Sequence, residues 1–91
     1  MQTKTILVID DEKPQRENLK GFFQRRNFEV LLADCGAKGV EEVNGHHVDV
    51  VLTDFKMPDM TGLQVLNAIK EINPEIPVIM MTAFGSIETA V

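Results

Sequence analysis

The chain has 91 residues, 44% hydrophobic and 25% charged, with five Phe and no Trp or Tyr, which fits one globular domain with a largely aliphatic core. A formal charge of −5 argues against direct contact with nucleic acid, where phosphate tracking needs clustered Lys and Arg, and no apolar run approaches the ~20 residues of a membrane span. The lone Cys35 leaves no intrachain disulfide and no multi-cysteine zinc site, so a reducing cytoplasm is the expected compartment.

Ile6-Leu7-Val8-Ile9 is an unbroken, β-branched-rich run, as in a parallel strand covered on both faces. It is too short for the apolar region of a signal peptide and ends on Asp10-Asp11. Pro14 suits the first turn of a helix whose apolar stripe is Leu19, Phe22 and Phe23. Arg25-Arg26-Asn27 closes it, with cations at the negative pole and then a residue that tolerates a left-handed turn. Val30 to Ala33 reads as a second strand, and Gly36 to Asn44 as a helix carrying Ala37, Val40 and Val43. Val48 to Thr53 is a third strand ending on Asp54. Leu63, Leu66 and Ile69, with Val65 and Ile72, mark a third helix stopped by Asn73-Pro74. Val78 to Met81 is a fourth strand ending on Thr82, and Ser86, with Glu88 behind it, reads as the N-cap of another helix.

Strands joined by single helices run parallel with right-handed crossovers, which predicts an open, doubly wound α/β sheet with every strand's carboxyl end on one edge. That edge collects Asp10 and Asp11 from strand one, Asp54 from strand three and Thr82 from strand four. In the order 2-1-3-4, strands one and three flank the point where strand order reverses, and ligands bind there. Three carboxylates meeting at that point would repel one another unless a hard cation joined them, and all-oxygen ligation favours Mg2+. Such a pocket suits phosphoryl chemistry, with an aspartate as nucleophile and a hydroxyl contacting a phosphoryl oxygen. Asp10 and Asp11, side by side, suit metal ligation; Asp54, alone at its strand end, suits the nucleophile. Read singly, each of the four is an ordinary turn or capping residue. Their joint placement on one edge is the signal.

Asp54-Phe55-Lys56-Met57-Pro58-Asp59-Met60-Thr61-Gly62 resembles the phosphoacceptor loop of response-regulator receiver domains, with its D-x-x-M-P-x-x-x-G pattern. Ile6 to Glu12 is similar to that family's first strand and acidic pair, and Met81-Thr82-Ala83 to its strand-four threonine and small residue. Residues 80–90 further resemble the nitrogen-regulation subfamily of sigma-54-dependent activators. The resemblance implies a flavodoxin-like fold and phosphoryl transfer from a sensor histidine kinase to Asp54. It also implies Mg2+ held by Asp11, Asp54 and the backbone carbonyl of Lys56, with Asp10 acting mainly through water. Thr82 would contact the phosphoryl oxygen, Ala83 would leave it room, and Pro58 and Gly62 would shape the loop. Transcription would be controlled through an output domain outside this chain, and the receiver itself would be an acceptor rather than an enzyme.

The family also expects a fifth strand ending in a lysine and a last helix, and residues 1–91 are expected to contain none of these. An incomplete receiver is therefore expected, with strand four as an open edge and the face behind the first helix half uncovered. Self-association or exchange of elements between chains would follow. Two other classes stay open. One is a phosphorylation-independent interaction or dimerisation fragment with a vestigial acid pocket. The other is a haloacid-dehalogenase-like phosphatase, which would want D-x-D after strand one, a spacing Asp10-Asp11 lacks. His46-His47, Cys35 and the methionines read as surface or packing residues.

Overall fold

In a computed structural model, residues 3–81 and the backbone of Ile87–Ala90 are described. The elements in chain order are β1 (Thr5–Ile9), α1 (Lys13–Gln24), β2 (Glu29–Ala33), α2 (Gly36–Gly45), β3 (Val50–Asp54), α3 (Gly62–Ile72), β4 (Val78–Met81) and β5 (Ile87–Ala90). The sheet order is β2-β1-β3-β4-β5, and its first four strands are mutually parallel.

The continuous apolar run at Ile6–Ile9 has the predicted cause. β1 lies between β2 and β3, and alternate side chains enter two different layers. Leu7 and Ile9 join Val51, Val43 from α2 and Val65 and Ile69 from α3 in one cluster; Ile6, Val8 and Leu52 pack with Leu19 and Phe23 of α1 in the other. The register puts Ile9 beside Ala33 and Thr53, so Asp10, which follows β1, and Asp54, which ends β3, emerge together on the carboxyl edge. Asn27 adopts the left-handed conformation (φ 66°) that turns the chain from α1 into β2.

Among the described residues, the α1 face of the sheet carries an open groove. Ile6, Phe22, Phe23, Phe28, Val50, Leu52 and Ile79 line an apolar groove of about 370 Å³ there, and Phe22 is 41% exposed at its rim.

Two expectations are corrected. The segment beginning at Ser86 was expected to start a helix; Ile87–Ala90 instead forms β5, antiparallel to β4, with Met81 opposite Ile87 and Val78 opposite Ala90. Accordingly a fifth strand is present and the outer edge of β4 is paired rather than open. The physical reason is non-local: β4 offers a row of unsatisfied backbone groups, and β-branched Ile87 and Thr89 favour an extended chain. Five residues separate Met81 from Ile87, enough for a hairpin but too few for the dozen or so of a parallel crossover.

Candidate functional site

Asp10 leaves the buried end of β1 and is itself only 2% exposed. Three bonds fix it: its N–H donates to Ala33 O at 3.1 Å, its Oδ1 accepts from Glu12 N–H at 2.9 Å, and its carbonyl accepts from Arg16 Nη1 at 2.8 Å. Asp54 ends β3 beside Met81 of β4, and its Oδ1 accepts from the following amide, Phe55 N–H, at 2.9 Å. Asp11, exposed, completes the group. Carboxylate oxygens of Asp10, Asp11 and Asp54 lie within 4.8 Å of one another.

The electrostatics follow from this crowding. Burial raises the Asp10 carboxyl above its ordinary value of 3.8; the Glu12 amide works against this, while the charges of Asp11 and Glu12 add to it. Burial also raises Asp54, with the charge of Asp10 next in weight and the Phe55 amide opposing. Removal from water and mutual repulsion penalise the ionised forms together, and a divalent cation relieves both. Three carboxylates converging on one partly solvated point suit a hard, oxygen-ligated ion.

The loop after Asp54 is closed at its base. Lys56 pairs with Thr61 in an antiparallel bridge, and Gly62 N–H donates to Phe55 O at 2.7 Å. Position 62 is tight for any side chain: a Cβ there would stand 3.0 Å from Asp54 O and Met80 Sδ and 3.1 Å from Phe55 Cα, so backbone atoms would have to give way. Thr61 starts α3 with a reciprocal capping box, its Oγ1 accepting from Gln64 N–H at 3.2 Å and its N–H donating to Gln64 Oε1 at 2.9 Å. Pro58 is exposed on the loop, and Met57 and Met60 pack against the α2–α3 core, as expected of packing methionines.

Of the predicted site residues, Asp10, Asp11 and Asp54 are brought together, and Lys56, Pro58 and Gly62 form the adjoining loop. Thr82 and Ala83 lie outside the described residues. His46 and His47 diverge to separate partners, Glu42 at 3.1 Å and Asp49 at 2.9 Å, near the start of β1 rather than at the acidic edge. Three contributors had escaped the sequence reading. Arg16, outside the apolar stripe of α1, reaches the Asp10 carbonyl. The capping box was legible as T-x-x-Q. Asp59, inside the loop, accepts from Gly36 N–H at 3.0 Å and Ala37 N–H at 2.9 Å, which hold its carboxyl below the usual value.

Fold and site together define a doubly wound α/β domain of the flavodoxin-like type, with an acidic pocket at its topological switch point. A family model described as the response regulator receiver domain matches residues 6–91. The chain belongs to this family and is a receiver domain of the two-component response-regulator type. It is 41% identical over 86 residues to the transcriptional regulatory protein ZraR of Escherichia coli (strain K12), covering 94% of this chain and 20% of that protein. The chain thus spans about a fifth of the curated relatives it matches first. Among solved structures, response regulator protein TrrA from Thermotoga maritima in complex with Mg(2+)-BeF superposes with a TM-score of 0.85 at 33% identity, over 89% of this chain and 70% of that one. A TrrA in complex with histidine kinase ThkA gives a TM-score of 0.85 at 32% identity, over 92% and 72%. Among the described residues no helix is long and apolar enough to cross a membrane.

Proposed function

We propose that Asp54 is the phosphoacceptor of this receiver and takes its phosphoryl group from a sensor histidine kinase. The observation that carries this reading is the convergence of Asp10, Asp11 and Asp54 within 4.8 Å at the carboxyl ends of β1 and β3. Phe55 N–H engages Asp54 Oδ1 and leaves Oδ2 to attack phosphorus. An oxygen–phosphorus bond forms as the phosphorus–nitrogen bond of the donor breaks, and the imidazole departs with the electron pair. Asp11, Asp54 and the Lys56 carbonyl would hold Mg2+, with Asp10 placed to act through its hydration. Bound there, Mg2+ supplies charge neutralisation for carboxylates and incoming phosphoryl oxygens alike. Thr82 donates its hydroxyl to a phosphoryl oxygen, Ala83 leaves space beside it, and Pro58 and Gly62 keep the loop in shape.

The domain works as a signalling acceptor in the cytoplasm. Phosphorylation shifts a two-state equilibrium of the segment after β4, which a larger regulator of transcription reads. The likeness to ZraR supports that output, and the TrrA structures support Mg2+ and the kinase partner. The test is intact mass after treatment with a small acyl-phosphate donor. Gain of one phosphoryl mass is expected with Mg2+, and none in EDTA or in Asp54→Asn. An equal gain in Asp54→Asn overturns the assignment.

A further inference from the structure

The loop between β3 and α3 is tied to the acidic pocket at its base and to a different helix at its tip. At the base, Phe55 N–H donates to Asp54 Oδ1 at 2.9 Å and to Met81 O at 3.1 Å, so the Phe55 backbone and the Asp54 carboxylate move together. At the tip, Asp59 lays its carboxylate across the start of α2, with Oδ1 on Gly36 N–H at 3.0 Å and Oδ2 on Ala37 N–H at 2.9 Å. Helix α2 has no side-chain cap of its own, because Cys35 occupies the N-cap with extended backbone (φ −156°, ψ 167°) and makes no capping bond. Met60 lies against the same turn so closely that a Cβ on Gly36 would stand 2.8 Å from its Cβ and Sδ. A cap is ordinarily supplied by the residue that begins the helix. Supplied from a loop 22 to 23 residues away, it also fastens that loop to the helix.

We infer that Asp59 is a positioning residue for the phosphoacceptor pocket. By clamping the loop onto α2 it holds the backbone of Phe55 and Lys56, and through Phe55 the Asp54 carboxylate, in the arrangement that takes Mg2+ and the phosphoryl group. The inference rests on the reading of Asp54 above. Transmission is short and stiff: Pro58 has its φ locked, and the Lys56–Thr61 bridge closes the loop. A displacement at Asp59 therefore passes to Lys56 instead of dissipating in the loop.

The test separates positioning from mere helix capping. Asp59→Ala, Asp59→Asn and the double variant Asp59→Ala/Cys35→Ser are compared with the wild-type chain. Each is measured for thermal stability, for Mg2+ affinity from the amide resonances of residues 54–56, and for the rate of phosphorylation by a small acyl phosphate. Asp59→Ala should weaken Mg2+ binding about three- to tenfold and slow phosphorylation by a similar factor. Asp59→Asn, which keeps one acceptor oxygen, should fall between. Cys35→Ser gives α2 a cap of its own, so the double variant should regain stability while Mg2+ affinity and rate stay low. The inference is overturned if Mg2+ affinity and rate are unchanged in Asp59→Ala, or if both recover with stability in the double variant. If Asp59→Ala does not fold, Asp59→Asn carries the same comparison. A wild-type chain that takes up neither Mg2+ nor a phosphoryl group refutes the Asp54 reading, and the inference falls with it.

Discussion

Replacing Asp54 by Asn should stabilise the metal-free protein. Asn is nearly isosteric, and its side-chain oxygen can still accept the Phe55 amide, so the change is chiefly removal of a charge. Two unit charges 4.8 Å apart, the outer limit of the oxygen cluster, repel by about 3.5 kcal/mol at an effective dielectric of about 20. Asp11 is exposed and Asp54 only half-buried, so solvent screening reduces the usable gain to about 1–2 kcal/mol. For a domain of this size that is a rise in Tm of roughly 5–10 °C. The pH dependence has a definite sign. The folded-state values of Asp10 and Asp54 both lie above the ordinary 3.8, so between these values the folded chain holds more protons than the unfolded one. The contribution of these groups to stability therefore falls as pH rises through that window, and Asp54→Asn should flatten the decline. Thermal melts by circular dichroism in EDTA at low salt, from weakly acidic to neutral pH, measure both effects. A lower or unchanged Tm for Asp54→Asn at neutral pH would refute the claim that the carboxylates oppose one another.

Gly62→Ala should lower stability by about 1–3 kcal/mol in urea denaturation, because the new Cβ meets the Asp54 and Phe55 backbone at 3.0 and 3.1 Å. It should also weaken Mg2+ binding, since the atoms that must yield carry the acceptor. Thr61→Ala removes the α3 capping box and should lower the urea midpoint by the equivalent of about 1 kcal/mol without changing the m-value. Adding Mg2+ should raise the wild-type Tm in a concentration-dependent way and raise that of Asp54→Asn much less, which calorimetry of both proteins checks.

The fold was legible in the sequence wherever a short-range signal and the tertiary outcome agree. Ile6–Ile9 reads as a two-face strand because both its faces are covered, and Asn27 reads as a helix end because it takes the left-handed turn there. Asp10, Asp11 and Asp54 were findable because parallel topology sends strand ends to one edge. The local signals for a helix start after Gly85 are genuine, but Ile87–Ala90 instead pairs along β4, an interaction between segments that no local pattern encodes. Asp59 was invisible for a related reason. Its partners are main-chain amides of Gly36 and Ala37, which carry no side-chain signature and lie on another helix. Arg16 carries no local signal either: only its length lets it reach back from α1 to the Asp10 carbonyl.

The measurement that tests the central claim most directly is the location of the phosphoryl group. The chain is treated with a small acyl phosphate and Mg2+, reduced with borohydride, which converts an aspartyl phosphate to homoserine, and mapped by tandem mass spectrometry. The account predicts homoserine at position 54, dependent on Mg2+. Conversion at Asp10 or Asp11 instead, or a folded, Mg2+-bound chain with no conversion at all, would contradict it.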